Sequence, residues 1–251
     1  LRKTLFIMNE EEFIKNVIEE KKKPEQLGMK RLVSLLCRYY YKLGIKPKEL
    51  SYTVENQLKE IMSEDENFRP FEYVDLIKST ASKVIHGKVP KELKVREGIK
   101  MYKKDYELID TLDTRQEKRL MFTAIALSRF FDNNGWIYLD INELFSLANI
   151  KTKRCNRELL LGALTEKGLL DINMKADSAV NVRVVNYMKE NGSDKDVQYT
   201  ITEFNQIGNQ GIVSAAPTKY MICSKCGKLV KKQSNSMKYC KHCAKEMKNI
   251  N

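Results

Sequence analysis

The sequence predicts a mainly α protein: an N-terminal helical bundle, a winged helix-turn-helix domain, and a C-terminal four-cysteine zinc ribbon or knuckle. Three observations carry this. Apolar residues recur at helical spacing through the front half of the 251 residues. A helix, strand, helix, turn, helix and hairpin pattern follows from Arg115 onward. Cys223, Cys226, Cys240 and Cys243 form two C-x2-C pairs separated by 13 residues. The expected divisions are a helical domain at 9–87, a basic connector at 88–114, the winged-helix domain at 115–204, a linker at 205–218 and the zinc-binding module at 219–251.

The first helix takes its apolar side from Phe13, Val17 and Ile18. Leu27, Leu32, Leu35, Leu36 and Tyr39 mark a second that continues to Leu43 and stops at Gly44. Leu50, Val54, Leu58, Ile61 and Met62 mark a third, and Phe71, Val74, Ile77 and Val84 a fourth. Three consecutive helical residues point in different directions, so the run Tyr39, Tyr40, Tyr41 is read as core packing and not as a platform for bases. No Gly-rich phosphate loop, paired carboxylates or nucleophile with a recognisable base emerges, so an enzyme is not expected. The lysines and arginines between Lys88 and Lys104 are read as a solvated face leading into the second domain.

From Arg115 to Phe131, Leu120, Ile125, Leu127 and Phe131 give a long helix that Asp132-Asn133-Asn134-Gly135 ends. Trp136 to Leu139 reads as a short strand. Asp140 then caps a helix, with Glu143 three residues on completing a capping-box pattern, and Leu144, Phe145 and Leu147 facing inward. After a turn at Asn149 to Thr152, Lys153 to Lys167 forms the third helix, with Leu159, Leu160, Ala163 and Leu164 on its buried side. Leu169 to Met174 and Val180 to Tyr187 alternate as two strands around Lys175-Ala176-Asp177-Ser178. In a winged helix-turn-helix the start of the third helix enters the DNA major groove. Here it carries Lys153, Arg154, Asn156 and Arg157, with Lys151 in the approaching turn. Arginine can fork to guanine, asparagine can pair with adenine, and lysine neutralises phosphate. Lys175 and Arg183 of the hairpin add candidate backbone contacts. The alternative is a winged helix used for protein docking or as a purely structural unit.

Tyr199 to Phe204 supplies one more strand, with the wing sheet as its candidate partner. Asn205 to Thr218 is uncharged, with two glycines and a proline, and reads as a linker that lets the zinc module move.

Two residues between cysteines let both thiolates of a pair reach one metal, and four thiolates complete a tetrahedral Zn2+ shell. Such a shell leaves no open position, so the site is expected to be structural. The module's apolar residues are few (Met221, Ile222, Leu229, Val230, Tyr239), so the metal must supply most of its folding free energy, on the order of 10 kcal/mol. His242 is read as a surface residue. Of a net charge of +12, the last 33 residues hold nine lysines against one glutamate. Lys225, Lys228, Lys231 and Lys232 lie among the knuckles, beside Tyr220 and Tyr239 as stacking faces, which points to a polyanion. The module shows no amphipathic helix with a broad apolar face, which favours nucleic acid over a membrane surface. Cys37 and Cys155 have no partner spacing, nothing at the start resembles a signal peptide, and no run of 18 apolar residues occurs. The expected location is the reducing cytoplasm of a bacterial host cell.

The run from Lys118 to Ile172 and the closing segment from Cys223 to Glu246 resemble a family of phage and mobile-element proteins of low-GC Gram-positive bacteria. The resemblance covers most of the chain. It implies a helical front half, a winged helix bearing a tryptophan (Trp136) and a terminal four-cysteine knuckle, and carries no activity. The function expected is therefore non-enzymatic nucleic-acid binding, DNA favoured over RNA, in transcription regulation or replication initiation. The alternative is an interaction factor of counter-defence, anti-CRISPR type. It would bind and inhibit a nucleic-acid enzyme such as a CRISPR effector nuclease, or its guide-RNA complex.

Overall fold

Asn9 opens the first helix: its side-chain oxygen accepts the backbone N–H groups of Glu11 (3.1 Å) and Glu12 (3.0 Å), two donors that a helix start otherwise leaves orphaned. The computed structural model describes residues 4–174, 180–185 and 194–248, and the chain divides into two units, Leu1–Glu97 and Gly98–Asn251.

In the first unit α1 (Glu10–Glu19), α2 (Met29–Lys42), α3 (Leu50–Ile61) and α4 (Val74–Ile85) bury Ile14, Val17, Leu32, Leu36, Leu50, Val54, Leu58, Ile77 and Val84 in one core. The second helix ends where expected, with Gly44 at φ 84° just beyond it. Tyr39, Tyr40 and Tyr41 pack half-buried against the core, and Tyr40 donates to Gln57 Oε1 at 2.6 Å. Phe71, expected inside the fourth helix, instead sits 73% exposed in a 3-10 turn over Pro70–Tyr73. Pro70 starts that turn ahead of α4, out of phase with its buried face. A buried ion pair joins Glu10 to Arg38 at 2.7 Å. Glu10 also accepts from Lys94 N (2.8 Å), and Arg38 also donates to the Glu92 carbonyl. Residues 92–95 are thereby fastened to α1 and α2, and Asn9 bridges Val95.

The second unit begins with β1 (Ile99–Tyr102) and α5 (Lys103–Asp110), then α6 (Arg115–Phe131), β2 (Trp136–Ile137), α7 (Ile141–Leu147) and α8 (Arg154–Glu166). There follow β3 (Leu170–Met174), β4 (Val180–Val184), β5 (Val197–Ile201), α9 (Ile207–Ala215), β6 (Tyr220–Ile222), β7 (Leu229–Lys231) and α10 (Lys241–Lys248). The protein is thus mainly helical, with ten α-helices and small sheets among the described residues. Residues 88–114, expected as a connector, instead divide: 88–97 belong to the first unit, while 99–110 form β1 and α5 of the second. Lysines that the sequence spreads over a solvated stretch alternate there with buried Leu93, Ile99, Met101 and Tyr106.

Thr114 and Glu117 cap α6 reciprocally, Thr114 Oγ1 accepting from Glu117 N (3.1 Å) and Glu117 Oε2 from Thr114 N (2.8 Å). Every residue from Leu120 to Arg129 is buried, which marks α6 as the central helix of the unit. It ends in a turn in which Asp132, Asn134 and Gly135 all take positive φ. Beyond it, β2, β4 and β3 form an antiparallel sheet in the order β2-β4-β3, with Trp136 opposite Arg183 and Leu170 opposite Val184. The expected turn at 175–178 and the end of the second hairpin strand lie outside the described residues.

β5 pairs with β1, Ile201 opposite Ile99 and Tyr199 opposite Met101, and not with the β2-β4-β3 sheet proposed for it from the sequence. The 205–218 linker is corrected as well. It contains α9, whose Ile207, Gly208, Asn209, Gln210 and Gly211 are buried. Gln210 Nε2 donates to the carbonyls of Glu203 (2.9 Å) and Asn205 (2.7 Å), so its amide is satisfied internally. The two glycines allow close packing: a Cβ on Gly211 would lie 2.5 Å from the Phe122 ring, and one on Gly208 2.2 Å from the Ala148 carbonyl oxygen. Gly208→Ala should therefore force α9 away from the end of α7 and cost about 1–3 kcal/mol of overpacking. Urea unfolding followed by the single tryptophan, Trp136, reads this unit alone. An unchanged midpoint would refute the close approach.

Candidate metal centre and basic surface

The β6–β7 hairpin pairs Tyr220 with Lys231 and Ile222 with Leu229, and at its tip the first cysteine pair wraps back on itself. Gly227, at φ 66°, makes the turn that an L side chain would strain, and its N–H donates to the Cys223 carbonyl at 2.9 Å. The second pair arrives through a helix: Cys240 immediately precedes α10 and Cys243 lies in its first turn. The sequence gives no sign of this helix, whose only apolar residues besides Cys243 are Ala244 and Met247.

All four sulfurs lie within 4.8 Å of one another, and Cys226 Sγ is 3.8 Å from Cys240 Sγ. A tetrahedral site with metal–sulfur bonds of about 2.3 Å has edges of ~3.8 Å, so the cage fits a metal ion. Backbone N–H groups aim at the sulfurs, Cys240 N at Cys223 Sγ (3.3 Å) and Cys243 N at Cys240 Sγ (3.5 Å). Donors from Cys226 and Cys240 pull the Cys223 thiol down to about 6, and the Cys243 N–H lowers Cys240. Burial, then the neighbouring sulfurs, push Cys243 up to about 12. Without a cation the four cannot all ionise, and a metal supplies that charge. Cys37, buried in the first unit and raised to about 12 by desolvation, is an inert core thiol. His242 points away: its Nε2 lies 3.1 Å from Glu246 Oε1.

The expected nucleic-acid contacts separate into free and engaged groups. Lys151, Lys153 and Asn156 are exposed, and Arg154 is 87% exposed at its side chain, with Nε 3.0 Å from Glu158. Arg157 turns inward instead. Its Nε donates to the Thr152 carbonyl (3.2 Å), its Nη1 to Asn142, and its guanidinium lies over the Phe145 ring at 5.5 Å, clipping α7 to α8. Arg183 donates to the Asn134 carbonyl (3.2 Å), faces Asp171 at 3.6 Å and covers Trp136 at 5.9 Å. Lys175 lies outside the described residues. In the metal module Lys225 pairs with Glu246 at 3.0 Å and Lys232 donates to the Pro217 carbonyl at 2.7 Å, while Lys228 and Lys231 are exposed. Tyr220 and Tyr239 are not open platforms: Arg115 lies over the Tyr220 ring at 5.5 Å, and Tyr239 packs against the cysteines.

Two α8 assignments change. Leu161, not expected inside, faces the core beside Leu164, which was, whereas Leu159, expected inside, is 72% exposed. Leu159 and Leu161 are two positions apart, about 200° around a helix. Among the described residues no helix is long and apolar enough to cross a membrane. Set against family models, curated proteins and solved structures, the chain matches none of them.

Proposed function

We propose that this protein binds nucleic acid, duplex DNA in the first instance, through a winged helix-turn-helix formed by α6 to β4, and that its four cysteines hold a structural Zn2+. Support for the winged-helix reading comes from the order helix, strand, helix, helix, hairpin and from the sheet order β2-β4-β3. The observation that carries the binding reading is the start of α8. Lys151, Lys153, Arg154 and Asn156 are exposed there together, the first turn holds no acidic residue, and no side chain caps it. Cations and free helix N–H groups at one end are what a phosphate backbone meets when a helix enters the major groove. Zinc is favoured because a closed, four-thiolate tetrahedron suits a metal that folds the chain and does no chemistry. Regulation of transcription or initiation of replication are the roles this chemistry fits.

Arg154→Ala should weaken duplex binding and relax base preference, by about 1–3 kcal/mol if the guanidinium forks to a guanine. Fluorescence anisotropy of the zinc-loaded protein against duplex DNA, single-stranded DNA and RNA reads both effects. Identical affinities for the variant and the parent would remove α8 from the interface. One observation favours the second reading, a docking surface for a nucleic-acid enzyme: Leu159 stands exposed one turn beyond exposed Cys155 on the same face of α8. Weak binding to all three nucleic acids would transfer the proposal to that reading.

A further inference from the structure

Arg115 and Arg119 stand one turn apart on α6, ~6 Å along its axis, on the side where the metal module and the α7–α8 turn meet that helix. Arg115 Nη2 donates to Tyr220 Oη at 3.2 Å, and its guanidinium covers the Tyr220 ring. Tyr220 is the cross-strand partner of Lys231. On the other side, Arg119 Nη1 donates to the Asn149 carbonyl at 3.3 Å, two residues before Lys151. These contacts link Lys231, through Tyr220, to Arg115, and Arg119 to the turn that leads into Lys151, Lys153 and Arg154.

The charge accounting around these arginines is unbalanced. The nearby acids are already taken: Asp110 by Lys118 (3.2 Å), and Asp113 and Glu117 by Lys167 (2.9 and 2.7 Å). Neither Arg115 nor Arg119 has a carboxylate partner among the described residues, and Arg119 Nε is buried without an acceptor. Burial, followed by the charge of Arg115, lowers the Arg119 pKa, so two like charges are held together with nothing to neutralise them. A fold retains such a pair at a cost in self-repulsion that an external anion would relieve.

We propose that Arg115 and Arg119 form a phosphate-binding track that joins the start of α8 to the metal module, so that one nucleic-acid backbone engages both. This rests on the nucleic-acid reading above and extends it. Tyr220 positions Arg115, and the metal cage, by fixing the β6–β7 hairpin, positions Tyr220. The cysteines thereby shape the binding surface from a distance.

The test is the salt dependence of duplex binding by the full zinc-loaded chain, read by anisotropy between about 50 and 200 mM salt. Each phosphate contact contributes about 0.9 to the slope of log K against log salt. Arg115→Gln with Arg119→Gln should lower the slope by about 1.8, equally for unrelated sequences. Arg115→Lys with Arg119→Lys keeps the charge and should retain the parent slope. Lys231→Ala, at an exposed position of β7, should lower it by about 0.9 even if the double glutamine variant fails to fold. Lys118→Gln, whose lysine already holds Asp110, should leave it unchanged. A steep parent slope that the glutamine pair and Lys231→Ala leave intact would overturn the track while sparing α8. Equal losses from the lysine and glutamine pairs would also overturn it, by showing that packing and not charge was removed. A parent that binds no nucleic acid with salt dependence would sink the α8 reading and the track together.

Discussion

Stripping the metal with a chelator should unfold residues 219–248 while leaving α6 and the sheet around Trp136 folded. Among the described residues the apolar side chains packed against the buried cysteines are Val230 and Tyr239, both half-buried, and the module's other buried apolar side chain is Met221. That is too little apolar surface to hold 30 residues against chain entropy. With the cation gone, four sulfurs within 4.8 Å of one another, three of them buried and that of Cys226 exposed, have no common partner to hold them together and cannot all stay ionised. Amide exchange should show 219–248 losing protection, with the central α6 amides retaining theirs; tryptophan emission should stay in place. Cys243→Ser should reproduce this without chelator, because it removes the sulfur seated in the first turn of α10. The decisive readout pairs metal content with exchange. Protection that persists after measured metal loss would mean that packing of β6 on α9 holds the module, and the structural-metal reading would fail.

The contrast between what could and could not be read from the residues follows one physical distinction. Spacing that reports local geometry was legible: the C-x2-C pairs converge, and Leu50, Val54, Leu58 and Ile61 line one face of α3. Signals with two opposite causes were not. Absence of charge across 205–218 fits a solvated linker or a buried helix, and the glycines that suggested looseness are there so that α9 can touch Phe122 and Ala148. The spacing of Leu159, Leu160, Ala163 and Leu164 suits an inward face, but the phase that buries Leu161 and Leu164 turns Leu159 outward. Within the α8 cluster, composition could not separate exposed Arg154 from Arg157, which is bound to Thr152, Asn142 and Phe145. In the sequence alone, Arg115 and Arg119 are an i, i+4 pair of arginines with nothing to set them apart from a solvated helix face. Only the engagement of Asp110, Asp113 and Glu117 by lysines shows them unneutralised.

Asp105→Ala should be the most destabilising single substitution in the second unit outside the metal cage. Arg129 reaches Asp105 from the last turn of α6 as a two-pronged fork, Nη1 to Oδ2 at 2.6 Å and Nη2 to Oδ1 at 2.8 Å, with the two side chains 2% and 6% exposed. Its Nη1 also donates to the Lys100 carbonyl at 2.9 Å, its guanidinium lies over the Tyr102 ring at 5.0 Å, and Asp105 accepts the Tyr102 N–H at 2.7 Å. One ion pair thus fixes β1, the start of α5 and α6 to each other. Removing the carboxylate leaves a buried guanidinium that cannot deprotonate, and breaking one partner of such a pair costs about 3–5 kcal/mol. Part of that cost is the stranded charge rather than the lost attraction. Arg129→Met with Asp105→Leu, which removes both charges and fills the volume, should therefore recover much of the stability lost in Asp105→Ala. Urea titration at Trp136 measures both, since β2 packs on α6 and the tryptophan is unique. A double variant no more stable than Asp105→Ala would place the value of the pair in its hydrogen bonds to β1. A wild-type midpoint in Asp105→Ala would mean that α6 needs no anchor at this end.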